Sequence, residues 1–375
     1  MISLSVPFLE AVQDVSAGNV KIPQSEFLPS GSLAIVDQGQ SLVAGYTGDV
    51  RAAVKTRGPV IVFGDHTRAF KYVDFPFAMG ADGVKVLRAR EGFDSKFVYH
   101  YLKSCSIPSV GYSRHFKFLK DISVPRPTLD EQRRIAAILD QADALRAKRR
   151  QVLAHLDTLN QSIFHDMFGD LSQGGWPIAS VGALSPRIDN GTSPVCGTRP
   201  TKPGEWGVLR LGAVTYGEFR PFENKAFLGD VTHMLSNEVK PGDVLMTRKN
   251  TRELVGAVAV VGSDVTSGLL IPDLIFRLHL DHDRVDGRYF QTLMMSPHMR
   301  ESVRTLASGS AASMPNISKA RLKTLMIDLP PIELQREFAS RVACVAREKA
   351  KAQRMLTESD TLFASLQSRA FRGEL

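Results

Sequence analysis

A gapless internal repeat limits what this 375-residue chain can fold into more than any other feature. Residues 127–168 are echoed 203 positions later by residues 330–371. Of 42 aligned positions 12 are identical, among them Pro127/Pro330, Gln132/Gln335, Arg133/Arg336, Leu153/Leu356, Asp157/Asp360 and Phe168/Phe371. Unrelated stretches of ordinary composition give roughly two or three identities over that length. The chain therefore reads as two copies of a globular segment followed by a long helix.

Both copies of the repeat carry helical spacing. In the first, Ile135, Ile138, Ala142, Leu145, Arg149, Val152, Leu156, Leu159 and Ile163 alternate at steps of three and four, which predicts a heptad seam. Pro127 stands where a helix can begin without losing an internal hydrogen bond, and Gly169 where one can end in a left-handed cap. The second copy gives the frame Phe338, Arg341, Val345, Glu348, Ala352, Met355, Ser359, Leu362 and Leu366, with three polar interruptions, and closes at Gly373. A lone amphipathic helix is expected to lie on its neighbouring domain. Two related helices, each longer than a small domain covers, are better satisfied by packing on one another, antiparallel because the chain must return between them.

The intervening segments read as short strands and helical pieces. Pro59–Asp65 and Gly83–Leu87 in the first, and Gly207–Leu211, Gly242–Met246, Gly256–Val261 and Leu274–Leu278 in the second, are apolar, β-branched runs with Gly and Asp at their ends. Lys96–Leu102 and Arg288–Met295 are helix-like. The expected fold class is mixed α/β (α+β). Two globular domains, residues 1–125 and 171–329, are separated by two long antiparallel coiled-coil-like helices, residues 126–170 and 330–375, in a pseudo-two-fold repeat. The two globular segments resemble each other only loosely.

Composition narrows the function classes. With 43% hydrophobic and 23% charged residues the chain is of the soluble, globular kind. Cys105, Cys196 and Cys344 lie far apart, which suggests neither a disulfide framework nor a zinc site and fits a reducing cytosol. The N-terminal stretch lacks a basic region and a long apolar run, and runs such as Val258–Val261 are too short to span a bilayer, so no membrane association is expected and the location is read as cytoplasmic. The formal charge is +8. Residues 127–170 hold six basic and seven acidic side chains and residues 330–375 eight and six, a net of +1, so +7 resides in the globular segments. Such an excess makes nucleic acid a reasonable partner.

Enzymatic motifs are missing from the sequence. It has no Gly-x-x-x-x-Gly-Lys-[Ser/Thr] phosphate loop, no Gly-x-Gly-x-x-Gly after a strand, no Asn-Pro-Pro-aromatic methyltransferase signature and no His-Glu-x-x-His. Leu329-Pro-Pro-Ile332 is better explained as the start of a helix, and Glu223-Asn-Lys225, despite its nuclease-like spacing, as a solvated turn near Pro221. Asp65 and His66, neighbours on a strand, would point to opposite faces. No catalytic residue, metal ligand or cofactor is assigned to this chain.

The run Pro125-Arg-Pro-Thr-Leu-Asp-Glu-Gln-Arg-Arg-Ile-Ala-Ala-Ile-Leu-Asp140 and its echo Leu329-Pro-Pro-Ile-Glu-Leu-Gln-Arg-Glu-Phe338 resemble the DNA specificity subunit of a bacterial or archaeal type I restriction-modification system. So do the phrases Val36-Asp-Gln-Gly39, Phe63-Gly-Asp-His-Thr-Arg68, Gly80-Ala-Asp-Gly-Val84 and Gly242-Asp-Val-Leu245. The resemblance implies two target-recognition domains, each reading half of a split, asymmetric double-stranded DNA site, with the helices as a ruler between them. It further implies that the helices receive two modification (methyltransferase) subunits, which recruit restriction (helicase-nuclease) subunits. S-adenosylmethionine, ATP and Mg would then belong to those partners. Gln132, Arg133 and Arg134, with Gln335 and Arg336, are the expected subunit-interface residues, although Leu334 and Glu337 replace the Glu131 and Arg134 of the first copy.

Base reading calls for Arg, Asn or Gln on base edges and for Ser, Thr or Lys on phosphates. Loops mixing these types give the candidate DNA-binding residues. They are Thr67, Arg68 and Lys71, then Tyr112, Ser113, Arg114, His115 and Lys117, in the first domain. In the second they are Arg248, Lys249, Asn250, Thr251 and Arg252, with Ser310, Asn316 and Lys319. Two other readings compete. A stand-alone DNA-binding regulator would need the helices to make a homodimer, whereas the duplication already supplies pseudo-symmetry within one chain; a self-contained methyltransferase or nuclease lacks its motifs.

Overall fold

A computed structural model describes residues 5–109, 111, 113–169, 171, 175–308 and 314–375. The chain divides into two compact units. Unit 1 combines Met1–Val152 with Ala352–Leu375, and unit 2 is Leu153–Lys351.

Unit 1 runs through β1 (Ser5–Pro7), α1 (Phe8–Ala11), β2 (Val12–Asp14), β3 (Lys21–Ile22), β4 (Leu33–Val36), β5 (Gly45–Thr47), β6 (Val60–Gly64), β7 (Phe70–Val73), β8 (Phe77–Gly80) and β9 (Val84–Ala89). It continues with α2 (Ser95–Ser104), α3 (Phe116–Leu119), β10 (Ser123–Pro125) and the first part of α4 (Leu129–Phe168). One sheet has the antiparallel order β2-β9-β6-β7. A second has the order β3-β8-β4-β5, parallel across β3, β8 and β4. Strand β6 is Val-Ile-Val-Phe-Gly and buried on both faces. Its period-two alternation sends Ile61 and Phe63 toward Phe97, Val98 and Leu102 of α2, and Val60 and Val62 toward Val36, Phe77 and Met79 of the second sheet. Strand β1 pairs with β10, Val6 opposite Val124, just ahead of α4.

Unit 2 repeats this plan. Its elements are β11 (Ile178–Ser180), α5 (Val181–Leu184), β12 (Arg187–Asn190), β13 (Gly207–Leu209), β14 (Asn224–Ala226), β15 (Val244–Thr247), β16 (Val258–Val260), β17 (Leu269–Leu270) and β18 (Ile275–His279). They are followed by α6 (Gly287–Met295), α7 (Pro297–Leu306), α8 (Lys319–Lys323), β19 (Met326–Asp328) and α9 (Ile332–Arg372), whose last part belongs to unit 1. The order β12-β18-β15-β16 matches β2-β9-β6-β7, β14-β13-β17 matches β5-β4-β8, and β11 pairs with β19 as β1 does with β10. The globular segments are thus duplicated as well, beyond the loose likeness read from sequence. A gapless comparison misses this because the separation grows along the chain: 173 residues at the opening strands (Ser5/Ile178), 192 at the helix caps (Asp94/Asp286) and 203 at the closing strands (Ser123/Met326).

The most specific residues of the repeat lie inside. Gln132 is fully buried in the first turn of α4, where its Nε2 donates to Pro127 O (2.9 Å) and Gly92 O (3.0 Å) and its Oε1 accepts from Asp94 N (2.8 Å). Asp94 in turn caps α2 through Lys96 N and Phe97 N. Gln335 does the same in unit 2. Its Nε2 donates to Pro330 O (2.7 Å) and Arg284 O (3.2 Å), and its Oε1 accepts from Asp286 N (2.9 Å), the cap of α6. Both had been expected on an exposed subunit surface; burial and full hydrogen bonding give them a structural role instead.

Within each unit the two long helices run antiparallel. In unit 1 Arg146 reaches Asp360 (2.6 Å) and lies over the Phe363 ring (4.2 Å), and Arg149 bonds Ser359 and the Met355 carbonyl. In unit 2 Asp157 pairs with Lys349 (2.6 Å), and Phe164 and Phe168 pack on Phe338. The seam differs from the expected one at alternate positions. It follows Ile135, Leu139, Ala142, Arg146 and Arg149 on the unit 1 part of α4, and Leu153, Leu156, Asn160 and Ile163 on the unit 2 part. Leu145 (44% exposed), Val152 and Leu159, placed on the seam by sequence, face outward. On α9 the seam uses Phe338, Val342 and Val345, then Leu356, Ser359, Phe363 and Ala370, so Arg341 and Glu348 are exposed rather than interrupting it.

In unit 1, α2 is also fastened to α4 by polar contacts. The buried His100 Nε2 meets Asp140 Oδ1 (2.8 Å), while Lys96 Nζ meets Asp140 Oδ2 (2.5 Å). Burial pushes the His100 imidazole below its ordinary value, against the opposing pull of the Asp140 carboxylate.

Two outcomes test these contacts. Gln132→Ala or Gln335→Ala strands a buried N–H and carbonyls, and should lower the stability of the unit that holds it by about 1–3 kcal/mol in chemical denaturation. Because His100 binds its proton less readily when folded, it contributes stability above the unfolded pKa of about 6.5 that is lost as pH falls through that value. Thermal unfolding of His100→Gln should therefore depend less on pH between 7 and 5 than that of the parent chain.

Candidate nucleic-acid interface

In unit 1 the turn between β6 and β7 is held by the buried Asp65. Its backbone N donates to Gly83 O (2.6 Å), its carbonyl accepts from His115 N (2.9 Å) and His115 Nδ1 (2.8 Å), and its carboxylate accepts from Phe116 N (2.6 Å). Asp65 thus brings the two candidate loops of the first domain together. Neither its burial nor this role was legible in the sequence. Gly64 permits the tight approach: a Cβ there would stand 2.2 Å from Thr67 Oγ1. The space lets the Thr67 hydroxyl donate to Gln38 O. Arg68 adopts φ of 62°, rare for a side-chain-bearing residue; its backbone N donates to Gly64 O (2.7 Å) and its guanidinium to Ile107 O (3.2 Å).

Thr67, Arg68, Arg114 and Lys117 are exposed on this surface and Ser113 is half-buried, while Tyr112 lies outside the described residues. Two candidates are corrected. His115 is buried, with its Nδ1 held by the Asp65 carbonyl. Lys71 is buried and donates to Asp37 O (2.8 Å) and Asp37 Oδ1 (3.2 Å); burial pushes its ammonium below the ordinary value against the pull of that carboxylate. Both serve the scaffold.

Unit 2 places its candidate loops at the equivalent point, between β15 and β16 and ahead of α8. Arg248 O accepts from Ile317 N (2.8 Å) just as Asp65 O accepts from His115 N, and Arg248 Nε donates to Asn316 Oδ1 (3.2 Å). Lys249 is bridged to Asn316. Arg248 and Lys319 both lie over the Phe276 ring, at 5.5 and 5.9 Å. Thr251 and Arg252 are exposed, Arg248, Lys249, Asn316 and Lys319 are half-buried, and Ser310 lies outside the described residues. Asn250 is a third correction. It is buried, its Nδ2 donates to Thr215 Oγ1 (3.1 Å) and its Oδ1 accepts from Thr251 N (2.9 Å), so it shapes the loop and presents no free amide.

Of the expected subunit-interface residues, Arg133, Arg134 and Arg336 remain at the surface. Arg133 pairs with Asp130 (3.4 Å), Arg134 with Glu131 (2.8 Å) and the Leu375 carbonyl (2.6 Å), and Arg336 donates to His282 O (3.1 Å). Among the described residues no cluster of three His, Cys, Asp or Glu could hold a metal, and no helix is long and apolar enough to cross a membrane.

Residues 11–155 match the type I restriction modification DNA specificity domain. The specificity subunit of the Escherichia coli type I restriction enzyme EcoEI is 33% identical over 170 residues, 45% of this chain but only 28% of that subunit's length. Among solved structures, the type I restriction-modification S subunit from M. genitalium aligns over 98% of this chain and 96% of its own, with a TM-score of 0.64 at 14% identity. A chain solved in work on complex assembly and conformational transition of the type I R-M system aligns over 100% and 98%, with a TM-score of 0.54 at 17% identity. These structures share the fold of this chain, and within it residues 11–155 are similar to the type I restriction modification DNA specificity domain.

Proposed function

We propose that this chain reads a bipartite, asymmetric double-stranded DNA site, one half with each unit, as the cytoplasmic specificity subunit of a type I restriction-modification enzyme. The carrying observation is the equivalent placement of cation- and hydroxyl-bearing loops in both units, on matched backbone bonds but with unlike side chains. A common scaffold with different reading residues suits two unlike half-sites. The +7 of the globular segments supplies the phosphate-directed part of binding.

In this reading the chain is not itself catalytic. Two modification subunits would supply methyl transfer from S-adenosylmethionine, and restriction subunits would supply ATP- and Mg-dependent cleavage. The docking surface would include Arg133, Arg134 and Arg336. Leu145 and Val152, exposed one heptad apart on α4, offer an apolar contact of the kind a partner helix covers. A stand-alone regulator is disfavoured, because the pairing helices such a dimer needs are already supplied within each unit.

Two experiments test the reading. Methylated adenines mapped in cells making this chain with modification subunits should show two unlike half-sites with a fixed gap, and inserting one heptad into each long helix should lengthen that gap alone. A continuous site, or methylation independent of the chain, would refute it. Lys117→Gln should reduce the salt slope of DNA binding by about 1 without loss of stability, whereas Lys71→Gln should chiefly destabilise unit 1, by about 1–3 kcal/mol, as read from salt titrations and unfolding curves.

A further inference from the structure

We infer that the loop following β4 and the loop following β13 form a third part of the DNA-reading surface, with Gln40 in unit 1 and the Tyr216–Arg220 pair in unit 2 as specificity-determining residues. The inference rests on the function proposed above and adds residues outside the candidate DNA-binding set read from the sequence.

In unit 1 the loop after β4 is fastened to the candidate loop at two points. Thr67 Oγ1 donates to Gln38 O, and Lys71 Nζ donates to Asp37 O and Oδ1. The Asp37 carboxylate also accepts from Gly39 N (2.8 Å), closing the turn. This accounts for the burial of Lys71: its charge holds a loop in place. Beyond the turn, Gln40 is exposed and lines a depression of about 350 Å³ together with Thr67, Arg68 and Lys103. An amide offers a donor and an acceptor in one plane, the pattern that reads adenine, and here it stands beside a guanidinium, whose fork reads guanine.

Unit 2 fastens its corresponding loop by different chemistry. Asn250, from the candidate loop, donates to the buried Thr215 Oγ1 (3.1 Å). Arg220 N donates to Ala213 O (3.0 Å), and Gln291 of α6 donates to Gly217 O (2.5 Å). Next to Thr215, Tyr216 is 58% exposed, and the Arg220 guanidinium lies 4.6 Å from its ring centroid, with Glu218 3.7 Å from Arg220. A large ring left in solvent on a loop anchored at three points, carrying a cation on its face, provides stacking and charge on a preorganised support. Two units that fasten the same loop with unrelated bonds, and set different polar or aromatic groups on it, are equipped to read different sequences.

The test uses the full chain and a duplex carrying the two methylation-mapped half-sites, with single-base variants in each half. Gln40→Ala should weaken binding to the intact site about tenfold and abolish discrimination at a base of one half only. Tyr216→Ala and Arg220→Ala should do so in the other half, while Tyr216→Phe should retain binding. Arg68→Ala and Arg252→Ala serve as comparison. If these two weaken binding while Gln40→Ala, Tyr216→Ala and Arg220→Ala stay within twofold with discrimination unchanged, the third loop is not a reader. An equal loss on every duplex would likewise overturn the specificity role. If none of the five substitutions alters binding, the DNA-reading assignment of both loops fails with it.

Discussion

Two buried side-chain amides set the geometry on which the rest of the molecule depends. Each sits in the first turn of a helix of 40 or 41 residues, and each ties three separate backbone groups together: the proline carbonyl before the helix, a carbonyl ahead of a domain helix, and the N–H of that helix's capping aspartate. The start of each long helix is thereby fixed to the domain that precedes it. An amide in such a place is stabilising only when all its bonds are made, since an unpaired buried polar group costs about 1–3 kcal/mol. The far end of each helix is fixed by a ring. Phe371 packs on Phe97 and Tyr101 of α2, and Phe168 packs on Tyr289 of α6. The identical pairs Pro127/Pro330, Gln132/Gln335 and Phe168/Phe371 are thus the two ends of one construction made twice.

The helices and their duplication were legible because heptad spacing and a gapless repeat are local signals. The seam was read one position off at alternate steps, since the chain offers two neighbouring rows of apolar residues and Leu145 looks a better core residue than Arg146. The structure takes Arg146 because its guanidinium finds Asp360 and the Phe363 ring, satisfying the charge while its stem packs. The doubled sheets were hidden by insertions of changing length, which no single offset can follow.

For the candidate interface, residue type pointed to loops that lie together within each unit, but not to the direction of each side chain. Lys71, His115 and Asn250 have the chemistry of DNA contacts and spend it internally, on Asp37, Asp65 and Thr215. The reason lies in tertiary structure: a loop that must hold its shape needs polar anchors, and the partners come from segments 34 to 50 residues away in sequence. What remains exposed is a smaller set of cations and hydroxyls on a hydrogen-bonded base, with unlike side chains on like scaffolds in the two units.

The division of the chain also imposes an order on its synthesis. Unit 2 is one continuous stretch, complete once residue 351 has been made, and its core from Phe164 to Val342 can close at once. Unit 1 is begun first and finished last: its core includes Phe363 and Ala370 alongside Val6, Phe97 and Leu139. During translation the earlier domain therefore waits with an apolar face uncovered while the later one folds. The core begun by residues 1–152 is closed only by residues 352–375, so a chain interrupted between the two units' last segments holds unit 2 whole and unit 1 open.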